Sequence, residues 1–225
     1  MSATAANLRW ELQRHTLFEF FEARELDTLL RTAAIEVFRA RQMLFHEGDP
    51  GGSMYVILSG RVKVSAYSAA GKECVLSFAG PGEVLGEITL LDGGSRTASG
   101  CALEDTRALH IARRDFLPVL ESNPRAALHI VGVLCERLRT TSRLVEDTVF
   151  LAAAPRLARA LIRLLGMHGE AVKLPQSTLG AHVGLMRESV NRQLRLWEED
   201  GVIRSGEDGI VVVKRDVLER IAELS

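Results

Sequence analysis

The chain has 225 residues, a formal net charge of −1, 47% hydrophobic and 25% charged residues. That composition suits one or two globular domains with true cores. It excludes a global basic field as the source of any attraction to nucleic acid or anionic lipid, while a local basic face stays open.

The first forty residues read as helices, with Leu26, Leu29, Leu30 and Ala33 at helical spacing. From Phe38 the period changes. "MLFHEGD", "SMYVILSGRVKVSAY", "VKVSAYSAAGKECVLSF" and "RALHIARRDF" are short β-branched and aromatic runs cut by glycines. Strands at such spacing predict a small antiparallel barrel or roll. Pro124 then opens a long helix, with Ala127, Val131, Leu134, Leu138, Thr141, Val145 and Thr148 in steps of four and three. This heptad pattern over about 39 Å of helix predicts a parallel homodimer seam, and the polar Thr141 within it needs a partner. "LAAAP" at 151–155 breaks the pattern, and Pro155 fits the first turn of a new helix.

Beyond it the order is helix ("ARALIRLLGMHG", ending at glycine), two short helices around Gly184, and a hairpin in "VIRSGEDGIVVV". That order is a winged helix-turn-helix pattern. On a wheel of the second short helix, Arg187, Glu188, Asn191, Arg192 and Arg195 fall within about 140° of arc, opposite an apolar stripe of Met186, Val190, Leu194 and Trp197. Arginine can donate twice to guanine, asparagine can pair with adenine, and glutamate can accept from cytosine. The alternative is a solvated face with a Glu188–Arg192 pair, but the surrounding elements favour DNA reading. "EED" at 198–200 falls past that face, as a solvated end.

"GEITLLDGGSRTA", from Gly86 to Ala98, holds one acid, Glu87, and one base, Arg96, among glycines and apolar residues. A strand ending near Leu85 delivers Gly86 and Glu87 into a short helical turn, whose N–H groups attract anions. Gly93 and Gly94 let the loop fold back. Arg96 then offers a planar, permanently charged fork to an anion, with Thr97 adding a hydroxyl. Glu87 suits a ribose hydroxyl. Acid for sugar and arginine for phosphate describe a nucleotide, and a monoanionic cyclic phosphate needs one arginine and no metal.

Other chemistry finds little support. Cys74, Cys101 and Cys135 and the six histidines show no C-x-x-C or H-x-x-x-H spacing, so structural zinc is not expected. Neither G-x-S-x-G nor G-x-x-x-x-G-K-[ST] is present, so no enzyme active site is expected, including one that makes or hydrolyses cyclic nucleotides. The apolar run from Ala126 to Cys135 is too short to span a bilayer, and the N-terminus lacks a signal pattern. The expectation is a cytoplasmic protein with no membrane partner.

On these residues the chain resembles the CRP/FNR family of bacterial transcription regulators, closest to its cAMP receptor branch. "GEITLLDGGSRTA" is similar to the family's phosphate-binding cassette, "EGD" and "GRVKV" to the turns of its β-roll, and "MRESVNRQLRLWEEDGVI" to its recognition-helix region. The resemblance runs from about Phe18 to Val213. It implies an α+β fold: an N-terminal antiparallel, jelly-roll-like β-roll with N-terminal helices (1–123), a dimerisation helix (124–150), a hinge (151–155) and a winged helix-turn-helix (156–225). It implies that Glu87 holds the ribose 2′-hydroxyl, that Arg96 and Thr97 hold the cyclic phosphate, and that Gly86 and Ala98 supply backbone. In "RLRTTSRLV", Thr141 and Ser142 match the residues that meet the base across the dimer, and Ser77 matches a further base contact. Arg187, Glu188 and Arg192 match the base-reading trio, implying palindromic TGTGA-like half-sites. Ser189 and Asn191 depart from the enterobacterial pattern and leave flanking specificity open.

The implied effector is cyclic AMP. Threonine at 97 resembles the version that prefers cyclic GMP, so cyclic GMP, or both, stays open. So do a family member with a different effector or none, and a nucleotide-binding module without DNA function. The oxygen-sensing branch is disfavoured because no cysteine precedes Cys74. The haem branch is disfavoured because Cys74 lacks a nearby histidine and is expected in or half in a strand core. Implied partners are double-stranded DNA, a second copy of the chain and RNA polymerase.

Overall fold

The computed structural model describes residues 3–13, 16–168, 171–206 and 209–224. The chain forms two compact units. The first comprises residues 1–68 and 76–138, and the second residues 69–75 and 139–225.

In the first unit, helix α1 (Ala3–Gln13), a 3-10 turn (Thr16–Phe18) and α2 (Ala23–Thr32) precede eight strands. The first four are β1 (Ala34–Phe38), β2 (Met43–Phe45), β3 (Ser53–Ser59) and β4 (Val62–Tyr67). Then come β5 (Glu73–Ala79), β6 (Val84–Leu85), helix α3 (Glu87–Asp92), β7 (Ser99–Ala102) and β8 (Thr106–Ala112). Helix α4 (Arg113–Glu121) follows, and then α5 (Pro124–Phe150), whose residues to Leu138 belong to the first unit and from Arg139 to the second. The strands form two four-stranded sheets, ordered β1-β8-β3-β6 and β2-β7-β4-β5. The expected antiparallel roll is present, with two revisions. The helical opening stops at Ala33, which caps α2 with its N–H on Leu29 O at 3.0 Å, and strand begins at Ala34 rather than after Phe38. "RALHIARRDF" is strand only to Ala112, where α4 takes over.

Strand period explains the two cores. On β3, Met54 and Val56 pack under α1, α2, α4 and α5 with Phe18, Leu26, Leu109 and Phe116. Tyr55 and Ile57, on the other face, enter the roll with Phe38, Phe45, Val62 and Ala102. Alternation by two is what lets one strand serve both layers. Cys74, expected buried or half-buried, is exposed. It sits on β5, which lies at the edge of its sheet.

Helix α5 carries an exposed apolar row: Leu128, Val131, Leu138, Val145 and Val149 are all more than half exposed, and Cys135 is exposed on the same spacing. Of the residues expected in a seam, Val131, Leu138 and Val145 are exposed, whereas Leu134 packs against the core of the first unit. The row then runs Leu128, Val131, Cys135, Leu138, Ser142, Val145 and Val149, again in steps of three and four.

The second unit holds α6 (Ala153–His168), β9 (Ala171–Val172), α7 (Gln176–Val183), α8 (Arg187–Glu199), β10 (Ile203–Gly206), β11 (Gly209–Val212) and α9 (Arg215–Ala222). The winged pattern is present, with a third wing strand, β9, and a closing helix, α9, that local pattern did not signal. Gly169, the expected end of α6, and the hairpin turn at Glu207 and Asp208 lie outside the described residues. Leu157, Leu161, Leu164, Val190, Leu194 and Trp197 form the buried interior. Asp147 of α5 is 3% exposed and accepts from Nη1 of Arg159 and of Arg163, each at 2.8 Å. Arg159 Nε also donates to Ala222 O at 2.7 Å, and Arg156 to Val183 O at 3.1 Å and Leu151 O at 2.9 Å. Arginines of α6 thus satisfy carbonyls at the ends of α5, α7 and α9, where helix dipoles favour cations.

Candidate ligand cassette and DNA-reading helix

The cassette is built from a sharp entry into α3. Gly86 is its N-cap at φ +81°, in the left-handed region that a side chain disfavours. A Cβ there would also stand 1.9 Å from Arg96 Nη1. This glycine therefore permits both the turn and the close approach of the guanidinium. Gly93 ends α3, its N–H donating to Thr89 O at 3.0 Å. The loop beyond is pinned to the strand-side turn: Arg96 N donates to Asp49 O at 2.8 Å and Gly48 N to Arg96 O at 2.8 Å.

The two charges named from the sequence are both buried here, Glu87 at 4% and Arg96 at 5% exposure. Arg96 Nη1 donates to Gly86 O at 3.2 Å and Thr89 Oγ1 at 3.0 Å, and Nη2 to Ser53 Oγ at 3.0 Å. Its guanidinium lies over the Phe45 ring, 4.6 Å from the centroid. Burial lowers the Arg96 pKa from the ordinary arginine value, and the fields of Tyr55, Glu87 and Asp49 act against that drop. Arginine stays charged in proteins, so the cassette holds a buried cation.

Glu87 has a partner that sequence reasoning missed. Arg137 of α5 donates through Nη1 to Glu87 Oε1, and through Nη2 to Val84 O at 2.8 Å. The signal was available, since Arg137 stands four residues before Thr141 on the same helix, but a single arginine on a charged helix face does not announce a target fifty residues away. Ser53 and Thr89 were also missed. Of the other expected ligand residues, Ala98 is buried at 7%, whereas Thr97 and Ser77 are exposed, as are Thr141 and Ser142 on α5.

In the second unit, α8 turns Val190, Leu194 and Trp197 into the core and leaves Arg187, Glu188, Arg192 and Arg195 exposed, with Asn191 and Ser189 half-buried. Met186, placed in the apolar stripe from its wheel position, is instead 74% exposed. It is the N-cap, with extended φ and ψ, so the wheel does not apply to it. Among the described residues, no ion pair joins Glu188 to Arg192. A shallow depression lies among Glu188, Asn191, Arg192, Arg195, Leu196 and Glu199. The "EED" end is exposed at all three positions, as expected of a solvated end. Glu198 Oε1 accepts from Ser205 N at 2.8 Å, tying the helix to the wing, and Glu199 lines the same depression as Glu188 and Arg192.

Comparison with known proteins agrees with both halves. Residues 35–123 match the cyclic nucleotide-binding domain, and residues 155–221 the Crp-like helix-turn-helix domain. The chain is 34% identical over 207 residues to the cyclic AMP receptor protein of Thermus thermophilus, covering 92% of this chain and 96% of that one. The chain belongs to the CRP/FNR family. Family members are transcription regulators rather than enzymes, and their architecture pairs an effector domain with a DNA-binding one. A CRP-like cAMP-activated global transcriptional regulator of Mycobacterium tuberculosis is 28% identical over 219 residues, covering 94% of this chain and 98% of that one. Among solved structures, the Thermus thermophilus catabolite activator protein is 33% identical, with a TM-score of 0.54 over 92% of this chain and 98% of that one. FixK2 of Bradyrhizobium japonicum shares the fold with a TM-score of 0.79 at 22% identity, over 86% and 99% of the two chains. Among the described residues, no helix is long and apolar enough to cross a membrane, and no group of three or more His, Cys, Asp or Glu could hold a metal.

Proposed function

We propose that this CRP/FNR regulator acts as a cytoplasmic homodimer whose roll binds a cyclic nucleotide, cyclic AMP ahead of cyclic GMP. Binding alters its affinity for palindromic TGTGA-like DNA. The observation that carries the reading is a buried carboxylate, Glu87, at the start of the glycine-capped α3, and a buried guanidinium, Arg96, in the loop that follows it. The names of the Thermus and Mycobacterium relatives support cyclic AMP.

In this reading Arg96 receives the cyclic phosphate, with Thr97 and the backbone of Gly86 and Ala98. Glu87 accepts from the ribose 2′-hydroxyl, and Arg137 keeps that carboxylate oriented. Thr141 and Ser142 reach the base of the opposite protomer's ligand, with Ser77 as a further contact. The exposed row on α5 supplies the dimer seam. Its neighbour, the 151–155 hinge, resets the two reading helices to successive major grooves, about 34 Å apart. The domain limits 1–123, 124–150, 151–155 and 156–225 belong to the same proposal. Arg187, Glu188 and Arg192 read base edges, while Ser189, Asn191 and Arg195 set flanking contacts. RNA polymerase is the onward partner. The ligand works only through its preference for the DNA-competent state.

Calorimetric titration of the purified protein with cyclic AMP and cyclic GMP, beside Arg96→Ala, tests the effector. Tight binding of one nucleotide, lost in the variant, is expected. No binding of either refutes the cyclic-nucleotide reading. Replacing Arg187 and Arg192 should abolish operator binding and leave nucleotide binding intact. A nucleotide that leaves operator affinity unchanged would refute the switch.

A further inference from the structure

The guanidinium that would meet an anion is held by side chains, not by backbone alone. Three hydrogen bonds hold it: Nη1 donates to Gly86 O and Thr89 Oγ1, and Nη2 to Ser53 Oγ. Nε–H takes part in none of these bonds, and the Nε/Nη2 edge to which it belongs is the lateral one suited to bidentate contact with an anion. The flat face is covered by Phe45.

Thr89 is used twice. Its hydroxyl donates to Gly86 O at 3.1 Å and accepts from Arg96 Nη1, so both its proton and a lone pair are directed. Space for it depends on Gly51, where an added Cβ would stand 2.3 Å from Thr89 Cβ and 2.6 Å from its Oγ1. Ser53, at the start of β3, holds the guanidinium from a different element. Among the described residues, no carboxylate stands within ion-pairing distance of Arg96. The neutral hydroxyls thus orient the cation without neutralising it.

We propose that Thr89 and Ser53 are positioning residues that lock Arg96 with its Nε/Nη2 edge free, so that the site distinguishes the two non-bridging oxygens of a cyclic phosphodiester. This rests on the nucleotide reading above and adds the direction from which the phosphate is received. An unheld arginine could offer either edge, or one nitrogen, to either oxygen. A locked one has a single productive pose, and its ordering cost is met on folding rather than on binding.

The test uses the full-length protein and three probes: cyclic AMP and the Rp and Sp diastereomers of its phosphorothioate, in which sulfur replaces one or the other oxygen. The wild type should discriminate between the diastereomers. Thr89→Val keeps the shape and removes the acceptor; its affinity for cyclic AMP should fall about tenfold, and the Rp/Sp affinity ratio should move toward one. Thr89→Ser should restore both. Ser53→Ala should flatten the ratio independently, which covers a Thr89→Val protein that does not fold. A wild type that binds the two diastereomers equally, or variants that keep the wild-type ratio, would overturn the proposal. A wild type that binds none of the three probes refutes the nucleotide reading itself, and this proposal with it; that result is visible before any variant is made.

Discussion

Arg137→Met tests whether the long helix holds the cassette acid. Methionine keeps much of the hydrocarbon stem and removes the charge that Glu87 meets. A carboxylate at 4% exposure that loses its partner costs about 3–5 kcal/mol when fully buried. The Arg137 side chain is 40% exposed, so water shares the interaction and about 1–3 kcal/mol is expected. For a chain of this length that is a fall in Tm of roughly 2–12 °C. The assay is urea or thermal unfolding of a double-mutant cycle with Glu87→Gln. In the Gln background Arg137→Met should cost much less, because no buried charge is stranded. A coupling energy below about 0.5 kcal/mol would mean that the two side chains act independently, and the ion pair would not be a feature of the folded protein.

Gly86→Ala puts a Cβ 1.9 Å from Arg96 Nη1 at φ +81°, so it should cost about 1–2 kcal/mol in backbone strain and displace the guanidinium. Nucleotide affinity should drop by more than about tenfold, well beyond the single hydrogen bonds discussed above; unchanged affinity in calorimetry would contradict this geometry. On α5, Cys135 lies in the exposed row and Leu134 does not. With Cys74 and Cys101 replaced by serine, mild oxidation should link protomers through Cys135, whereas Leu134→Cys with Cys135→Ser should stay unlinked on a non-reducing gel. The reverse pattern would restore the seam first read from the sequence. Glu83 has its pKa raised above 4.5, first by burial, with its bond from Gly80 N–H and the fields of Arg137 and Arg61 opposing. A raised carboxyl pKa favours the folded state below the unfolded value and loses that contribution as pH rises through the folded one. Glu83→Gln should therefore gain in Tm relative to wild type as pH increases from just below 4.5 upward. A pH-independent difference would argue that Glu83 titrates alike in both states.

Much of the candidate site was legible because it is local. Gly86, Glu87 and Arg96 lie within one short segment, and the entry from strand to α3 follows from glycine chemistry and from an acid beside a base. The polar face of α8 was equally local, since a rigid helix of 3.6 residues per turn fixes which side chains share a side. Met186 shows where that reasoning stops: at a cap the backbone leaves helical geometry, and the wheel no longer places the side chain. Helix α5 shows a second limit. Rows starting at Ala127 and at Leu128 both fit a heptad, and it is the packing of Leu134 against the core that leaves the second one exposed.

The sequence by itself determined the order of elements, the chemistry of the cassette and the polar face of the recognition helix, because each depends on residues within a few turns of one another. Tertiary structure alone decided which distant groups complete them: Arg137 on Glu87, Ser53 and Phe45 around Arg96, and Arg159 and Arg163 on Asp147. The physical reason is that a buried charge must find a partner. Its type can be inferred from the charge, but its address depends on how strands and helices pack.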